Sequence, residues 1–401
     1  MKIAFVIQRY GLDINGGAEL CCRLIAEHMR KYWDVEVLTT KAFDYITWKN
    51  HYLQDEEVIN GIPVKRFKVK KKRHPGRFGR IQNYILGNEH KTEDEIRWLE
   101  EEGPFCPSLI RYIKEHKDNY DYFIFFCYRY YHSYWGINSV PDKSILVPTA
   151  EEDLVIHLNI FKDLFRKPQA IVYCSIEEKK MINSITSGMT VVNDVVGVGT
   201  EIPPKISVEE FRRKYKIEGD YVVYVGRVDE NKGCDRLFDY FMRFKKETSS
   251  SIKLVLVGGT VLKIPSHSDI YYLGYLSEED KFSAIEGALL LVMPSFYESL
   301  SMVTLEAWAL KKAVLANACC KVLRGQCVRS NGGFFYENYG EFRESLKLLL
   351  MTPELCETIG RNGFEYFKKN YSWDVIEKKY LSVLDDLEKE KECKSISLQL
   401  P

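Results

Sequence analysis

The chain has 401 residues, too many for one ordinary α/β core, so two domains of about 150–200 residues each are expected. Hydrophobic residues make up 45% and charged residues 28%, the mix of a soluble globular protein with a large core. Formal net charge is zero, which argues against general nucleic-acid binding and confines any electrostatic function to local patches.

The N-terminus leads straight into an apolar strand, Lys2–Ile7, with no charged leader or small-residue cleavage site. No apolar run reaches the ~18 residues of a membrane span, so a cytoplasmic protein is expected. The eleven cysteines include the adjacent pairs Cys21-Cys22 and Cys319-Cys320 and show no Cys-x-x-Cys spacing. Free thiols in a reducing compartment fit that pattern, with a zinc site or disulfide framework as the alternative.

After the first strand come Asn15-Gly16-Gly17-Ala18-Glu19 and a helix from Ala18 to Tyr32. Gly16 and Gly17 permit a tight turn and close approach of backbone to a ligand, with the helix N-terminus behind them. The bland readings are plain strand-to-helix geometry and, for Glu19, a first-turn acid favoured by the helix dipole. Further strands are predicted at Val35–Thr39, Tyr122–Phe126, Ile145–Val147, Ile171–Cys174 and Thr190–Val196, alternating with helices as in a parallel sheet. Asn60-Gly61, between Val58-Ile59 and Ile62–Val69, is a hairpin turn signal.

A basic run extends from Lys65 through Lys70, Lys71, Lys72 and Arg73 to Arg77 and Arg80, followed by an acidic helix containing Glu93-Asp94-Glu95 and Glu100-Glu101-Glu102. It is either a solvated face or a docking patch for an anionic membrane or a lipid-diphosphate acceptor, with Phe67, Phe78 and Tyr84 as interfacial aromatics. The Gly/Pro-rich passage Gly197–Pro204 is the linker candidate. Beyond it, strands are predicted at Tyr221–Val225, Lys253–Val257, Ile270–Leu273, Leu289–Met293 and Ala313–Ala316, and a last helix from Trp373 to Leu387.

Two segments of this second half carry chemistry. Strand Tyr221–Val225 runs into Gly226-Arg227 and Lys232-Gly233 and then a helix with Leu237, Phe238, Phe241 and Phe244 at helical spacing. An arginine fork and a lysine at the carboxyl end of a parallel strand suit a diphosphate. Strand Leu289–Met293 runs into Pro294–Trp308, where Glu298 lies in the loop and Glu306 two turns into the next helix. Free N–H groups at such a helix N-terminus suit a phosphate, and the two carboxylates suit hydroxyls on either side of it. A nucleotide sugar has that shape; a capped surface helix with solvated glutamates is the bland reading.

Taken together, Gly16-Gly17, Arg227 with Lys232, Glu298 with Glu306, Gly332-Gly333 and Tyr371-Ser372-Trp373 resemble the family-4 retaining glycosyltransferases of the GT-B fold, most of all bacterial enzymes that build cell-surface polysaccharides. The resemblance implies two Rossmann-like parallel-sheet domains facing a central cleft. Residues 1–200 would form the acceptor-side domain, with the helix at 373–390 packing back on it, and 201–372 the nucleotide-sugar domain. It implies a UDP- or GDP-sugar donor, a glycan or lipid-linked acceptor and no cofactor. Arg227 and Lys232 would hold the diphosphate, helped by N–H groups near Ser299, Leu300, Ser301 and Met302. Glu298 would orient sugar hydroxyls, Glu306 would accept the ribose hydroxyls, and the base would lie by Gly274-Tyr275. No Asp-x-Asp pair sits at a strand end, so the charge on the leaving group must come from Arg and Lys, as in metal-independent chemistry.

One departure matters. The family commonly carries a histidine just after the strand Ile145–Val147, where this chain has Thr149-Ala150-Glu151-Glu152-Asp153. Glu151 could replace it as a hydrogen-bond acceptor, charge stabiliser or nucleophile, or His157 could reach back across a helix starting at Asp153. Two other functions stay open on these residues: a nucleotide-sugar epimerase of the same fold, and a non-catalytic nucleotide-sugar-binding protein.

Overall fold

The computed structural model describes residues 1–14, 16–188 and 191–397; Asn15 and Thr190 lie outside the described residues. The chain divides into two compact units, one of residues 1–198 together with the chain from Ile376 onward, the other Gly199–Val375.

The first unit holds an eight-stranded sheet of β1 (Lys2–Val6), β2 (Asp34–Thr40), β3 (Glu56–Ile59), β4 (Ile62–Phe67), β5 (Tyr122–Phe126), β6 (Ser144–Val147), β7 (Ala170–Tyr173) and β8 (Val192–Val195). Their spatial order is β3-β4-β2-β1-β5-β6-β7-β8. Every neighbouring pair is parallel except the hairpin β3/β4, where Ile59 faces Ile62 and both Asn60 and Gly61 have positive φ. All five residues of β5 are buried, which is why its run Tyr-Phe-Ile-Phe-Phe is apolar without alternation. The first helix spans Gly17–Met29, shorter than the predicted 18–32, and buries Cys21, Cys22, Ile25, Ala26 and Met29. The long last helix continues to Ser397 rather than stopping near Leu387. From Ile376 onward it buries Ile376, Tyr380, Val383, Leu384 and Leu387. Its Glu377 accepts from Lys31 Nζ at 2.6 Å and Tyr32 Oη at 2.8 Å.

The second unit holds β9 (Tyr221–Val225), β10 (Lys253–Val257), β11 (Ile270–Gly274), β12 (Leu290–Met293), β13 (Ala313–Asn317) and β14 (Gly333–Tyr336). All neighbours are parallel, in the order β11-β10-β9-β12-β13-β14. The sequence reading missed β14, whose four residues have no apolar run long enough to stand out. Helix Cys234–Thr248 covers this sheet with buried Leu237, Phe238, Phe241 and Phe244, each worth about 2 kcal/mol of burial. Gly332, just before β14, accepts a 2.8 Å hydrogen bond from the indole of buried Trp308, so the Gly332-Gly333 pair serves packing here.

Strand order reverses between β9 and β12. The loops leaving their carboxyl ends therefore diverge over a crevice, the place where open α/β sheets bind ligands.

Candidate active site

The loop after β9 is shaped by Asp229, a buried residue that the sequence reading did not single out. One carboxylate oxygen accepts from Arg227 Nε and the other from the Lys232 backbone N–H at 2.7 Å. Its carbonyl accepts from Cys234 N at 3.1 Å, tying the loop to the helix start. Gly233 has φ +69°, and a Cβ there would lie 2.2 Å from the Pro294 carbonyl oxygen. Only glycine lets the β9 loop come this close to the β12 loop.

The β12 loop is held from behind. Asn317 donates to the Pro294 carbonyl at 2.9 Å, and Gln326 donates to the Leu300 carbonyl at 2.8 Å. Leu300 and Ser301 are buried, and Ser299 and Met302 half-buried. Ser301 has φ +66° and precedes helix Met302–Ala309; its hydroxyl bonds Thr304 Oγ1 at 2.9 Å rather than capping a backbone N–H. The first-turn amides of that helix thus have no side-chain cap, as an anion site requires. Lys232 Nζ donates to Glu298 Oε1 at 2.7 Å, joining the β9 and β12 loops at the switch point, and Asp229 ties Arg227 to the Lys232 backbone on the first of them.

Glu306 is 4% exposed, on the same helix. Lys281 Nζ donates to its Oε1 at 2.9 Å, and its Oε2 is buried without a hydrogen-bond partner. Burial opposes the Lys281 charge, yet Glu306 and Glu278 raise its pKa. Nothing in the sequence pattern flags this lysine, because the pairing spans a strand and two loops. Gly274 ends β11 with φ +68°, and the Tyr275 that follows is exposed, its hydroxyl end against Gly259.

Gly16, Gly17 and Glu151 belong to the other unit. Gly16 precedes the helix that starts at Gly17, and a Cβ on it would lie 2.0 Å from Glu19 Oε2. Glu19 is more than a first-turn acid: it is buried and accepts from Gln8 Nε2 at 3.0 Å and Arg9 Nε at 2.8 Å. Glu151 is half-buried in the loop after β6. That loop is anchored by Thr149, with φ +48°, and by the Ala150 N–H, which donates to the fully buried carboxyl of Glu178. Instead of a helix starting at Asp153, a short 3-10 turn spans Leu154–His157. Asp153 caps it at 3.1 Å from Ile156 N, and His157 is exposed.

The basic run is less free than its sequence suggests. The Arg73 guanidinium bonds Glu102 at 2.6 Å and the Ile46 carbonyl at 2.7 Å, and Arg77 pairs with Glu101 at 2.9 Å, as does Lys71. Of the three proposed interfacial aromatics, Phe67 and Phe78 pack against the core beside Tyr112 and Trp98, and Tyr84 alone is exposed. Their apolar character is used inside the fold.

Comparison with known proteins adds a partial family match. Residues 207–366 match the family Glycosyl transferases group 1. That match lies inside the second unit. Arg227, Lys232, Lys281, Glu298 and Glu306 all lie within it, while Gly16, Gly17 and Glu151 lie outside. The chain is 32% identical over 168 residues to the uncharacterized glycosyltransferase MJ1178 of Methanocaldococcus jannaschii, a match covering 39% of this chain and 46% of that protein. It is 24% identical over 241 residues to the capsular polysaccharide biosynthesis glycosyltransferase CapM of Staphylococcus aureus, covering 53% and 62%. The chain thus spans about half to three-fifths of the length of these two relatives. Among solved structures it resembles HepE of Anabaena in complex with UDP and glucose, with a TM-score of 0.70 at 16% identity over 96% of this chain and 99% of HepE. The two Rossmann-like parallel sheets are those of the GT-B fold.

Proposed function

We propose that the chain is a retaining glycosyltransferase that moves a hexosyl group from a UDP- or GDP-sugar to a glycan or lipid-linked acceptor in cell-surface polysaccharide synthesis. The observation that carries this reading is the Lys232–Glu298 bond across the β9 and β12 loops, with Asp229 holding Arg227 on the first loop and an uncapped helix start at Met302 ending the second. Positive groups fixed there stabilise a departing diphosphate, the term that dominates when a glycosyl centre gains oxocarbenium character. Lys232 and Arg227 contact the diphosphate, Glu298 orients the sugar hydroxyls, and Glu306 accepts from the ribose. The base lies by Gly274-Tyr275, and Gly16, Gly17 and Glu151 serve the sugar and acceptor. Leaving-group charge is met by these side chains and amides, without a metal. HepE, whose structure holds UDP and glucose, and CapM, named for capsular polysaccharide, support the donor and the pathway.

Among the described residues, no helix is long and apolar enough to cross a membrane. The protein works in the cytoplasm, reaching the inner face of the plasma membrane through its exposed lysines. Incubation with labelled UDP-glucose and GDP-mannose tests the reading. Slow release of nucleoside diphosphate supports a transferase lacking its acceptor. An epimerised sugar, or binding without any turnover, overturns it.

A further inference from the structure

Lys281 lies in helix Glu278–Glu286, between β11 and β12, and has no part in the chemistry above. Its ammonium is largely enclosed and donates to Glu306 Oε1 at 2.9 Å and Glu278 Oε2 at 2.8 Å. Glu306 is therefore asymmetric, with one oxygen locked and the other buried but unmatched. A buried carboxylate oxygen without a partner is costly, and such atoms in a folded protein call for an explanation. A ligand hydroxyl arriving at Oε2 supplies the missing hydrogen bond.

We propose that Lys281 is a positioning residue for ribose recognition, pinning Glu306 through Oε1 so that Oε2 meets the ribose hydroxyls of the donor. The idea rests on the assignment of Glu306 to the ribose. The lysine does two things there. It sets a cation against the buried carboxylate, and its hydrogen bond fixes that group against rotation. A site organised this way discriminates sharply against a sugar lacking a hydroxyl, because the carboxylate is then left unpaired.

The test compares UDP with 2′-deoxy-UDP, or GDP with 2′-deoxy-GDP, by calorimetry, using whichever base the wild type binds. Wild type is expected to prefer the ribonucleotide by about tenfold or more. Glu306→Ala abolishes that preference if the ribose assignment is right; should the preference persist, that assignment fails and the Lys281 role falls with it. Lys281→Met is expected to lose most of the preference while binding inorganic pyrophosphate as wild type does, and Lys281→Arg to restore part of it. A wild-type ratio in Lys281→Met, with Glu306→Ala behaving as expected, overturns the Lys281 inference alone. Because Lys281→Met strands a buried carboxylate and can misfold, Glu306→Ala is compared with the Lys281→Met/Glu306→Ala pair. If Lys281 acts through Glu306, the two have the same ratio; a further change in the pair also overturns the proposal.

Discussion

Lys232 Nζ and Glu298 Oε1 stand 2.7 Å apart, although the residues are separated by 66 positions in the chain. The bond joins the loops leaving β9 and β12, adjacent strands of one sheet. The cation proposed for the diphosphate therefore has a carboxylate partner of its own. An incoming diphosphate must compete with Glu298 for Lys232.

Removal of either proposed diphosphate cation gives the first expectation. Arg227→Ala and Lys232→Ala should each weaken UDP or GDP binding by about tenfold or more, since a charge-assisted hydrogen bond is worth about 1.5–3 kcal/mol. Lys232→Ala should melt near the wild type, whereas Arg227→Ala should melt lower because it takes a donor from buried Asp229. Calorimetric titration alongside thermal melting checks both halves. Wild-type affinity in both variants would remove the diphosphate assignment.

Glu298→Gln should act differently. Releasing Lys232 from a partly buried pair worth about 1 kcal/mol should tighten binding of the bare nucleoside diphosphate by about fivefold, while turnover of the nucleotide sugar falls. Glu306→Ala, by contrast, should lose nucleotide affinity. Equal behaviour of the two variants towards UDP or GDP would sink the division of roles between the carboxylates.

A third expectation concerns pH. Glu178 is fully buried, and burial raises its pKa from 4.5 to about 8, against the opposing pull of hydrogen bonds from the Ala150 and Cys174 N–H groups. The folded state then binds more protons than the unfolded state between those values, so stability falls as pH rises from about 4.5 to about 8. The neighbouring thiols of Cys21, Cys127 and Cys174 and the phenols of Tyr173 and Tyr380 are all pushed upward by burial, so none ionises within that window. Glu178→Gln should flatten the decline in melting temperature across it. An unchanged slope would place the titration elsewhere.

Legibility followed the range of the interactions. Strands such as Tyr122–Phe126 and Tyr221–Val225 could be read to the residue, because burial on both faces leaves an unbroken apolar run. The Asn60-Gly61 turn was equally local. Arg227, Lys232, Glu298 and Glu306 were legible as motif residues, but their partners were not. Asp229 and Lys281 do their work through side-chain pairs that form only once the loops are folded. Arg73 shows the reverse error. Seen in the sequence it is one more charge in a basic run, yet in the fold it ties the Tyr45–Ile46 segment to Glu102.

That distinction sharpens the membrane test. Lys70 and Lys72 are exposed, whereas the side chain of Arg73 is only 10% exposed and stacks on Trp48 and Phe78. Lys70→Gln with Lys72→Gln should lower association with anionic vesicles without changing nucleotide binding. At about 1 kcal/mol per lysine near an anionic leaflet, the pair is worth about 30-fold at low salt. Screening over about 8 Å at physiological ionic strength should make wild-type binding fall steeply as salt is added. Arg73→Gln should instead lower the melting temperature, because it leaves a buried Glu102 oxygen and two carbonyls without their donor. The competing view is that the lysines merely keep a solvated edge from pairing with other strands, and it predicts no vesicle binding at any salt. Co-sedimentation at low and high salt separates the two, and wild-type protein that stays in the supernatant at low salt ends the docking idea.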